Sequence, residues 1–526
     1  MLANALAPIL ALAPLALAQK PSKDGSDALF QKGEIHELRL VLSAEAEQSL
    51  RDAPRTYAPF ELWVDGKRFA NGGGVKLKGA AGSFRSWDEK PGLTIKLDKF
   101  DGKTLFHGLE KFHLNNAAQD ESYLSEWLGS EVFRAAGYPA TRVSHARVFL
   151  NDRDAGLYVL KEGFDRRFLA RWFSDTDGNF YDGGFCQDVG EPLELDSGKG
   201  VEDRSDLAAL ANACRESDMV KRWGALEPVL DIPQFVRFMA LEELLGHWDG
   251  YTINSNNYRL YFVPGGKARF LPHGMDSVVS DAYASTLDMP SSMLSGSVMK
   301  RPEWRKLYRK ELKDLLPRLE PKALVRKLEP VQQRVEAALK KMNGEIAALQ
   351  RERYRELVER IGERYRFLQE EVSAPEPKPL VFKLGVPVTL KSWRTHSEVD
   401  DARVESEVDD GVDWYVIECG PSGRCIAGFR KGVLLTRGKY KLTTTVRTEG
   451  VEPLVEEGAP SQGVAVRISG AAATNSLQGS ATRELAFEFE VAEETGDIEL
   501  VLELRATAGR VRLRQDSLKL VRLGEK

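Results

Sequence analysis

At 526 residues the chain is too long for one ordinary domain, so two or three are expected, each able to bury its own core. Hydrophobic residues at 42% and charged residues at 29% exclude a disordered or fibrous protein. Lys plus Arg (74) nearly balance Asp plus Glu (79), for a net charge of -5, which leaves no global electrostatic grip on nucleic acid or anionic membrane.

Residues 1–18 carry no charge and end in Ala16-Leu17-Ala18, the small-x-small pattern of a signal peptidase site, followed by polar Gln19-Lys20-Pro21. A signal peptide is expected there, and with it a secreted, periplasmic or cell-surface protein. No later segment approaches about 18 consecutive apolar residues, so no stable membrane span is expected in the mature protein.

From Glu34 to about Phe100 the pattern is β. His36 to Leu42 and Phe60 to Val64 alternate, and Asp65-Gly66 supplies a hairpin turn. Val75 to Lys78 and Leu93 to Leu97 read as strands around the small-residue loop Gly79 to Arg85. Such a loop can approach phosphates with its backbone N–H groups, while Arg85, Lys90 or Lys96 supplies charge; a plain β-turn is the alternative, since no Walker A lysine follows. Asp120 to Gly137 reads as a helix with Leu124, Leu128, Val132 and Phe133 on one face, and Asp120 or Ser122 as its cap. Strands at Ala146 to Leu150 and Gly156 to Lys161 follow, and Glu162 at the end of the second either orients a phosphate-binding lysine, binds metal, or is an exposed strand-end acid.

Asp231 to Trp248 has the strongest helical pattern, with Asp231 as N-cap and Pro233 in the first turn. It ends in His247-Trp248-Asp249-Gly250, which places Asp249 on a loop at a helix exit. Asn254, Asn256 and Asn257 come next, then a hairpin of Tyr258 to Phe262 and Lys267 to Leu271, then Asp276. A phosphoryl-transfer centre needs a carboxylate near the acceptor hydroxyl, oxygen ligands for metal and a cation on the phosphates. Loop Asp, Asn, hairpin and second Asp is the order of a protein-kinase catalytic loop and its metal-binding Asp, without the HRD or DFG lettering. Neither HExxH nor paired CxxC appears, which removes most support from zinc hydrolases and zinc ribbons.

Glu303 to Glu371 is helical by period, with interruptions near Pro317, Pro321 and Gly344. Residues 373–381 form a proline-rich linker. Short alternating strands recur over residues 382–526, as expected of a β-sandwich. Trp393, Trp414 and Tyr415 either offer a stacking surface for carbohydrate or pack in its core. Cys419 and Cys425 flank a turn that brings them into disulfide range, and a bridge between them is expected.

Residues 35 to 370 resemble the spore coat protein H (CotH) kinase family of atypical, secretory-type protein kinases. The likeness rests on six blocks in order. These are Lys78-Gly79 with Lys90 and Thr94 to Phe100; Phe112 to Asn116 with Asp120; Phe133 to Ala140; Val148 to Asn151 with Gly156-Leu157-Tyr158 and Glu162; Trp248-Asp249-Gly250-Tyr251 with Asn257 to Tyr261; and Pro272 to Asp276. The segment after the linker resembles the jelly-roll modules appended to exported bacterial enzymes, which often bind carbohydrate.

The family resemblance implies an α+β atypical kinase-like domain over residues 30–372, followed by an all-β sandwich. It implies ATP-dependent phosphorylation of Ser or Thr on an extracytoplasmic protein, with Mg²⁺ or Mn²⁺. Asp249 matches the catalytic Asp and Asp276 a metal Asp, with Lys78, Arg85, Lys90, Lys96 and Glu162 on the nucleotide side. For the metal Asn, counting from Asp249 favours Asn254, whereas the following strand as anchor favours Asn257; Asn257 is preferred. Many members carry an acid where this chain has Gly274. The rival expectation is therefore a catalytically impaired kinase-like attachment protein whose second domain grips glycan.

Overall fold

A computed structural model describes residues 25–100, 104–198, 204–216, 219–284, 292–375, 378–399, 401–456, 459 and 461–524. The expected signal peptide, residues 1–18, and part of the linker lie outside the described residues. The protein is a mixed α+β molecule that divides into two compact units after Ala374.

The first unit opens with α1 (Asp27–Lys32), β1 (His36–Val41), α2 (Ala44–Asp52), β2 (Ala58–Val64), β3 (Lys67–Lys78), β4 (Gly92–Lys96) and β5 (Lys111–Asn115). After α3 (Ser125–Ala135), β6 (Val143–Leu150) and β7 (Arg153–Glu162) complete a closed barrel of order β1-β2-β3-β4-β5-β7-β6. The barrel closes through a parallel β1–β6 pair, with Leu38 opposite Val148. Strand alternation decides what it holds. Val75, Leu77, Leu93, Ile95, Phe112, Leu114, Tyr158 and Leu160 fill the interior. Their neighbours Lys76, Lys78, Thr94, Lys96, Lys111, His113, Asn115 and Lys161 therefore share the outer face of β3, β4, β5 and β7. Here one wall of the site is built.

The other wall follows in sequence. α4 (Arg166–Trp172), β8 (Phe180–Asp182), β9 (Glu194–Ser197), α5 (Ser205–Arg215) and α6 (Met219–Val229) lead into α7 (Ile232–Leu244). Asp231 caps α7 by accepting from Gln234 N at 3.1 Å, as its sequence predicts. The helix stops at Leu244, short of the expected Trp248, because Gly246 turns the chain at φ +54°. One turn of helix, α8 (Tyr251–Asn254), then leads to the hairpin β10 (Tyr258–Phe262) and β11 (Ala268–Pro272), which joins a sheet of order β11-β10-β8-β9. Phe235, Phe238, Tyr251, Tyr258 and Phe270 pack where α7 crosses this sheet. α9 (Met293–Met299), α10 (Pro302–Leu315), α11 (Pro321–Met342) and α12 (Gly344–Ser373) complete the unit, interrupted near Pro317 and Gly344 as the sequence suggests.

The second unit is β-rich: β12 (Val388–Thr389), β13 (Arg394–Ser397), β14 (Arg403–Asp409), β15 (Val412–Glu418), β16 (Cys425–Pro453), β17 (Gly463–Ile468), β18 (Ser476–Leu477), β19 (Gly479–Arg514) and β20 (Lys519–Gly524). The register of β16 on β19 descends from Cys425 opposite Ala506 to Thr445 opposite Glu484. Several of the short strands read from sequence are therefore segments of these two long ones. Trp393 and Tyr415 are buried in the core, which favours packing over a stacking surface for them. The expected Cys419–Cys425 disulfide is corrected by the structure. Both are free thiols, and the Cys419 thiol donates to the Ala506 carbonyl at 3.8 Å.

Candidate functional site

Asp249 sits where α7 has ended and α8 has not begun. Its carboxylate is caged by amides: Asn254 Nδ2 donates to Oδ1 at 3.3 Å, Asn256 Nδ2 to Oδ1 at 3.0 Å, and Asn257 Nδ2 to Oδ2 at 2.7 Å. Asn257 also binds the Asp249 carbonyl at 3.0 Å. The two asparagines offered as alternatives by sequence therefore both reach Asp249, joined by a third. Ser255 (φ +48°) and Asn257 (φ +49°) adopt left-handed backbone to allow this. From below, Glu242 on α7 fixes the loop by accepting from Tyr251 N (3.1 Å), Thr252 N (2.9 Å) and the Thr252 hydroxyl (2.6 Å).

The segment after β11 lies alongside. His273 N donates to the Asn257 carbonyl at 2.8 Å, His247 Nε2 to the His273 carbonyl at 3.3 Å, and Val279 N to the Leu245 carbonyl at 2.7 Å. Gly274 stands against Asn257. Its φ is +52°, and a Cβ added there would lie 2.1 Å from Asn257 Oδ1. The missing acid thus coincides with a backbone and a neighbour that leave no room for a side chain.

Across the cleft, the outer barrel face presents a second cluster. Lys161 is fully buried, and its Nζ donates to Glu126 Oε2 at 2.9 Å and Oε1 at 3.1 Å, with His273 Nδ1 at 3.3 Å. Asn115 Nδ2 donates to Glu126 Oε1 at 3.1 Å while its Oδ1 accepts from Lys78 Nζ, so the amide links Lys78 to the carboxylate that Lys161 binds directly. Glu126 comes from the first turn of α3 and Lys161 from β7, so a helix and a strand are clamped by an ion pair in a sheltered site.

Asp276 joins this cluster electrostatically. Burial, and then the Glu126 charge, push its carboxyl up to about 7, with Lys78 and Lys161 pulling the other way. Burial, and then repulsion from Lys161, bring Lys78 down to about 8. Burial and the surrounding cations hold His113 and His273 well below the usual imidazole range, hence neutral at pH 7.

The remaining sequence candidates are distributed elsewhere. Glu162 is buried on the opposite face of β7, where it accepts from Arg142 at 2.7 and 3.1 Å and pairs with Arg171. Burial raises its carboxyl, and the two guanidiniums more than offset this. It is not exposed, and its partners are arginines rather than a lysine. Lys90 donates to Tyr123 Oη at 3.1 Å and lies over the ring of Tyr158, a barrel-core residue; burial lowers it to about 8. Arg85 fastens its own loop through the carbonyls of Gly82 (3.1 Å) and Phe84 (2.8 Å). Lys96 pairs with Asp98 at 3.8 Å.

Sequence reasoning missed Glu126 and Lys161. Alternation carried the signal for Lys161: once Tyr158 and Leu160 point into a core, Lys161 shares the face of Lys78 three strands away. Glu126 had no comparable signal, since an acid in the first turn of a helix is ordinary.

The donor atoms suit a hard cation. Asp276 has no ion pair within 4 Å among the described residues, and the Asn257 amide oxygen lies against Gly274, two residues before it; carboxylate and amide oxygens are donors that Mg²⁺ or Mn²⁺ prefers. Among the described residues no group of three His, Cys, Asp or Glu forms a complete metal cage. No described helix is long and apolar enough to cross a membrane.

Comparison with known proteins places the chain. It is similar to invasin CotH2 of Rhizopus delemar, at 24% identity over 199 residues, covering 34% of this chain and 33% of that protein. It is also similar to spore coat protein homolog 1 of the same organism, at 27% identity over 165 residues, covering 28% and 27%. The chain thus spans about a third of the length of these curated relatives. Among solved structures, a bacteriophage CBA120 tailspike domain aligns with 25% of this chain and 19% of its own (TM-score 0.19, 12% identity). A CBM4 structure aligns with 23% and 77% (TM-score 0.16, 18% identity). At such scores neither carries an argument about fold or ligand. The pattern of the family described as CotH kinase protein matches residues 75–368, more than half of the chain. With that match and six sequence blocks in order, the chain belongs to the CotH kinase protein family.

Proposed function

We propose that the protein is an atypical, kinase-like phosphotransferase that moves a phosphoryl group from ATP to a Ser or Thr hydroxyl of an extracytoplasmic protein. The observation that carries this reading is the pairing of two unlike carboxyl groups. Asp249 is exposed enough to meet an acceptor and held in place by three amides. Asp276 is sheltered, has no ion pair within 4 Å among the described residues, and feels the charges of Glu126, Lys78 and Lys161.

In this reading Asp249 orients the acceptor hydroxyl and accepts its proton. Asp276 and Asn257 hold Mg²⁺ or Mn²⁺, which neutralises charge on the transferring phosphoryl group. Lys78 and Lys161 face the phosphates from the barrel wall, and Glu126 with Asn115 fixes their positions. Arg85 and Lys90, at another place on the barrel, have no part in it.

Thermal stabilisation by ATP with and without Mn²⁺ tests the reading, together with radiolabel transfer to a mixed-peptide acceptor. Asp249→Asn is expected to keep metal-dependent nucleotide binding and lose transfer by about a hundredfold to ten-thousandfold. Asp276→Asn is expected to lose both together. Wild-type protein without metal-dependent ATP binding would remove the reading.

Gly274 supports a second one, in which the domain retains the family scaffold as an attachment protein. A family member without the acid, in a pocket with no space for one, has given up one metal oxygen. Nucleotide binding without measurable transfer in the wild type would select this alternative.

A further inference from the structure

The outer face of β3 continues from Lys78 to Lys76 and into a cavity of about 410 Å³ lined by Lys76, Lys96, Lys99, Lys111 and Arg166. Three of these cations are engaged: Lys111 pairs with Asp196 at 3.1 Å, Arg166 with Asp177 at 2.5 Å, and Lys96 with Asp98 at 3.8 Å. Lys76 and Lys99 have no carboxylate within 4 Å among the described residues. Both ammonium groups stand instead over the ring of Tyr57, at 5.0 and 5.2 Å from its centre. A Cβ added to Gly74 would lie 2.7 Å from Lys99 and 3.1 Å from Tyr57, so a glycine on β3 makes the stack possible.

Two like charges sharing one aromatic ring is an unfavourable arrangement for the empty cavity. Burial, and then repulsion from Lys111, already lower Lys76. The carboxylates that raise Lys76, Glu194, Asp196 and Asp182, act on it from beyond 4 Å, and Asp196 and Asp182 are paired with Lys111 and Arg259. Asp165 is committed to capping α4 through Phe168 N at 2.8 Å, and burial raises it to about 6. Glu110 is also raised, by burial and by Asp98. Five cations and four carboxylates line the cavity, and the two lysines without an ion pair leave its lining with a small positive excess. Its apolar lining residues are Tyr57, Phe164 and Leu169.

We infer that this cavity binds an oligophosphate chain, with Lys76 and Lys99 each holding one phosphate. Two residues along a strand advance about 7 Å, so one chain can run from Lys76 to Lys78 on a single face. The continuation toward Lys78 rests on the kinase reading of that cleft; the cavity and its unpaired lysines do not. A free oligophosphate and the phosphate tail of a nucleotide share this chemistry.

Calorimetric titration of the full chain with tripolyphosphate, ATP and adenosine, in a chelator and without acceptor, separates them. Tripolyphosphate is expected to bind, more weakly as salt rises, and to lose about tenfold in affinity with each of Lys76→Gln and Lys99→Gln. Lys76→Arg should retain binding, which guards against a folding defect in the glutamine variants. ATP binding no tighter than tripolyphosphate identifies the chain alone as the ligand, and ATP binding tighter, with the same lysine dependence, identifies a nucleotide tail. Adenosine binding without tripolyphosphate binding, equal binding in the glutamine variants, or no binding of either phosphate compound overturns the proposal. Because no metal or acceptor is present, these outcomes are independent of whether phosphoryl transfer is found.

Discussion

Lys161 and Glu162 are adjacent on β7 and belong to two ionic clusters of opposite character. On one face Glu162 is saturated by Arg142 and Arg171, whose guanidiniums stay charged at any relevant pH and fix the carboxylate through several bonds. Arg142 also reaches Asp27 at 2.6 Å and Ser26 at 2.7 Å, so this cluster staples the start of the unit to the barrel. On the other face Lys161 and Glu126 are accompanied by groups whose proton states shift across neutrality, Lys78 at about 8 and Asp276 at about 7. One cluster fastens the fold. The other holds charge where a substrate can change it.

The comparison breaks first on stability. Glu162→Ala leaves two buried guanidiniums without their carboxylate and is expected to cost about 3–5 kcal/mol, read as a lower urea midpoint. The Lys161→Met/Glu126→Leu double variant removes both charges and is expected to unfold within about 1–2 kcal/mol of wild type while phosphoryl transfer disappears. If the double variant is as unstable as Glu162→Ala, the Lys161 cluster is also a fastening and its functional role falls.

Smaller effects sharpen the same contrast. Gly274→Ala places a Cβ in left-handed backbone against Asn257 and is expected to cost about 1–3 kcal/mol and to loosen the Asp249 cage, visible as faster amide exchange over residues 249–257. The smallest effect concerns pH. Burial raises Glu242 to about 7 and Glu243 to about 8, so the folded state holds protons that the unfolded carboxyls release near pH 4.5. Their contribution to stability is full below that pH and is lost as pH rises through 7 to 8. The lowered histidines act in the opposite direction below about pH 6.5. Thermal midpoints of Glu243→Gln should therefore fall less between pH 6.5 and 8 than those of wild type.

Much of this was legible in the sequence, and the gaps have physical reasons. Asp231, Pro233 and the apolar spacing after them defined α7, because capping and amphipathicity are local. The hairpin between Asp249 and Asp276 was legible because two short alternating runs around Pro264-Gly265-Gly266 are a local signature. Glu162 was left between a lysine-orienting, a metal-binding and an exposed strand-end acid, and its actual partners, Arg142 and Arg171, were not legible because they lie in other elements. The helix expected from Asp120 begins only at Ser125, because Asp120 is spent on the turn before it, accepting from Ser122 N at 3.1 Å and Ser125 N at 2.8 Å. Glu126 and Lys161 are functional candidates only because two distant segments meet, which no local pattern encodes.

Barrel closure has a consequence for how the chain reaches its folded state. β1 is sealed by β6, more than a hundred residues later, so His36 to Leu40 gain their last partner only when Ala146 to Leu150 exist. Until then the nascent chain carries two open strand edges, β1 on one side and β5 on the other, and open edges invite pairing between chains. Such long-range closure is slow, because the loop must be ordered before the contact rewards it. A fragment ending before β6 is therefore expected to aggregate, whereas one ending after Glu162 has every barrel strand in hand.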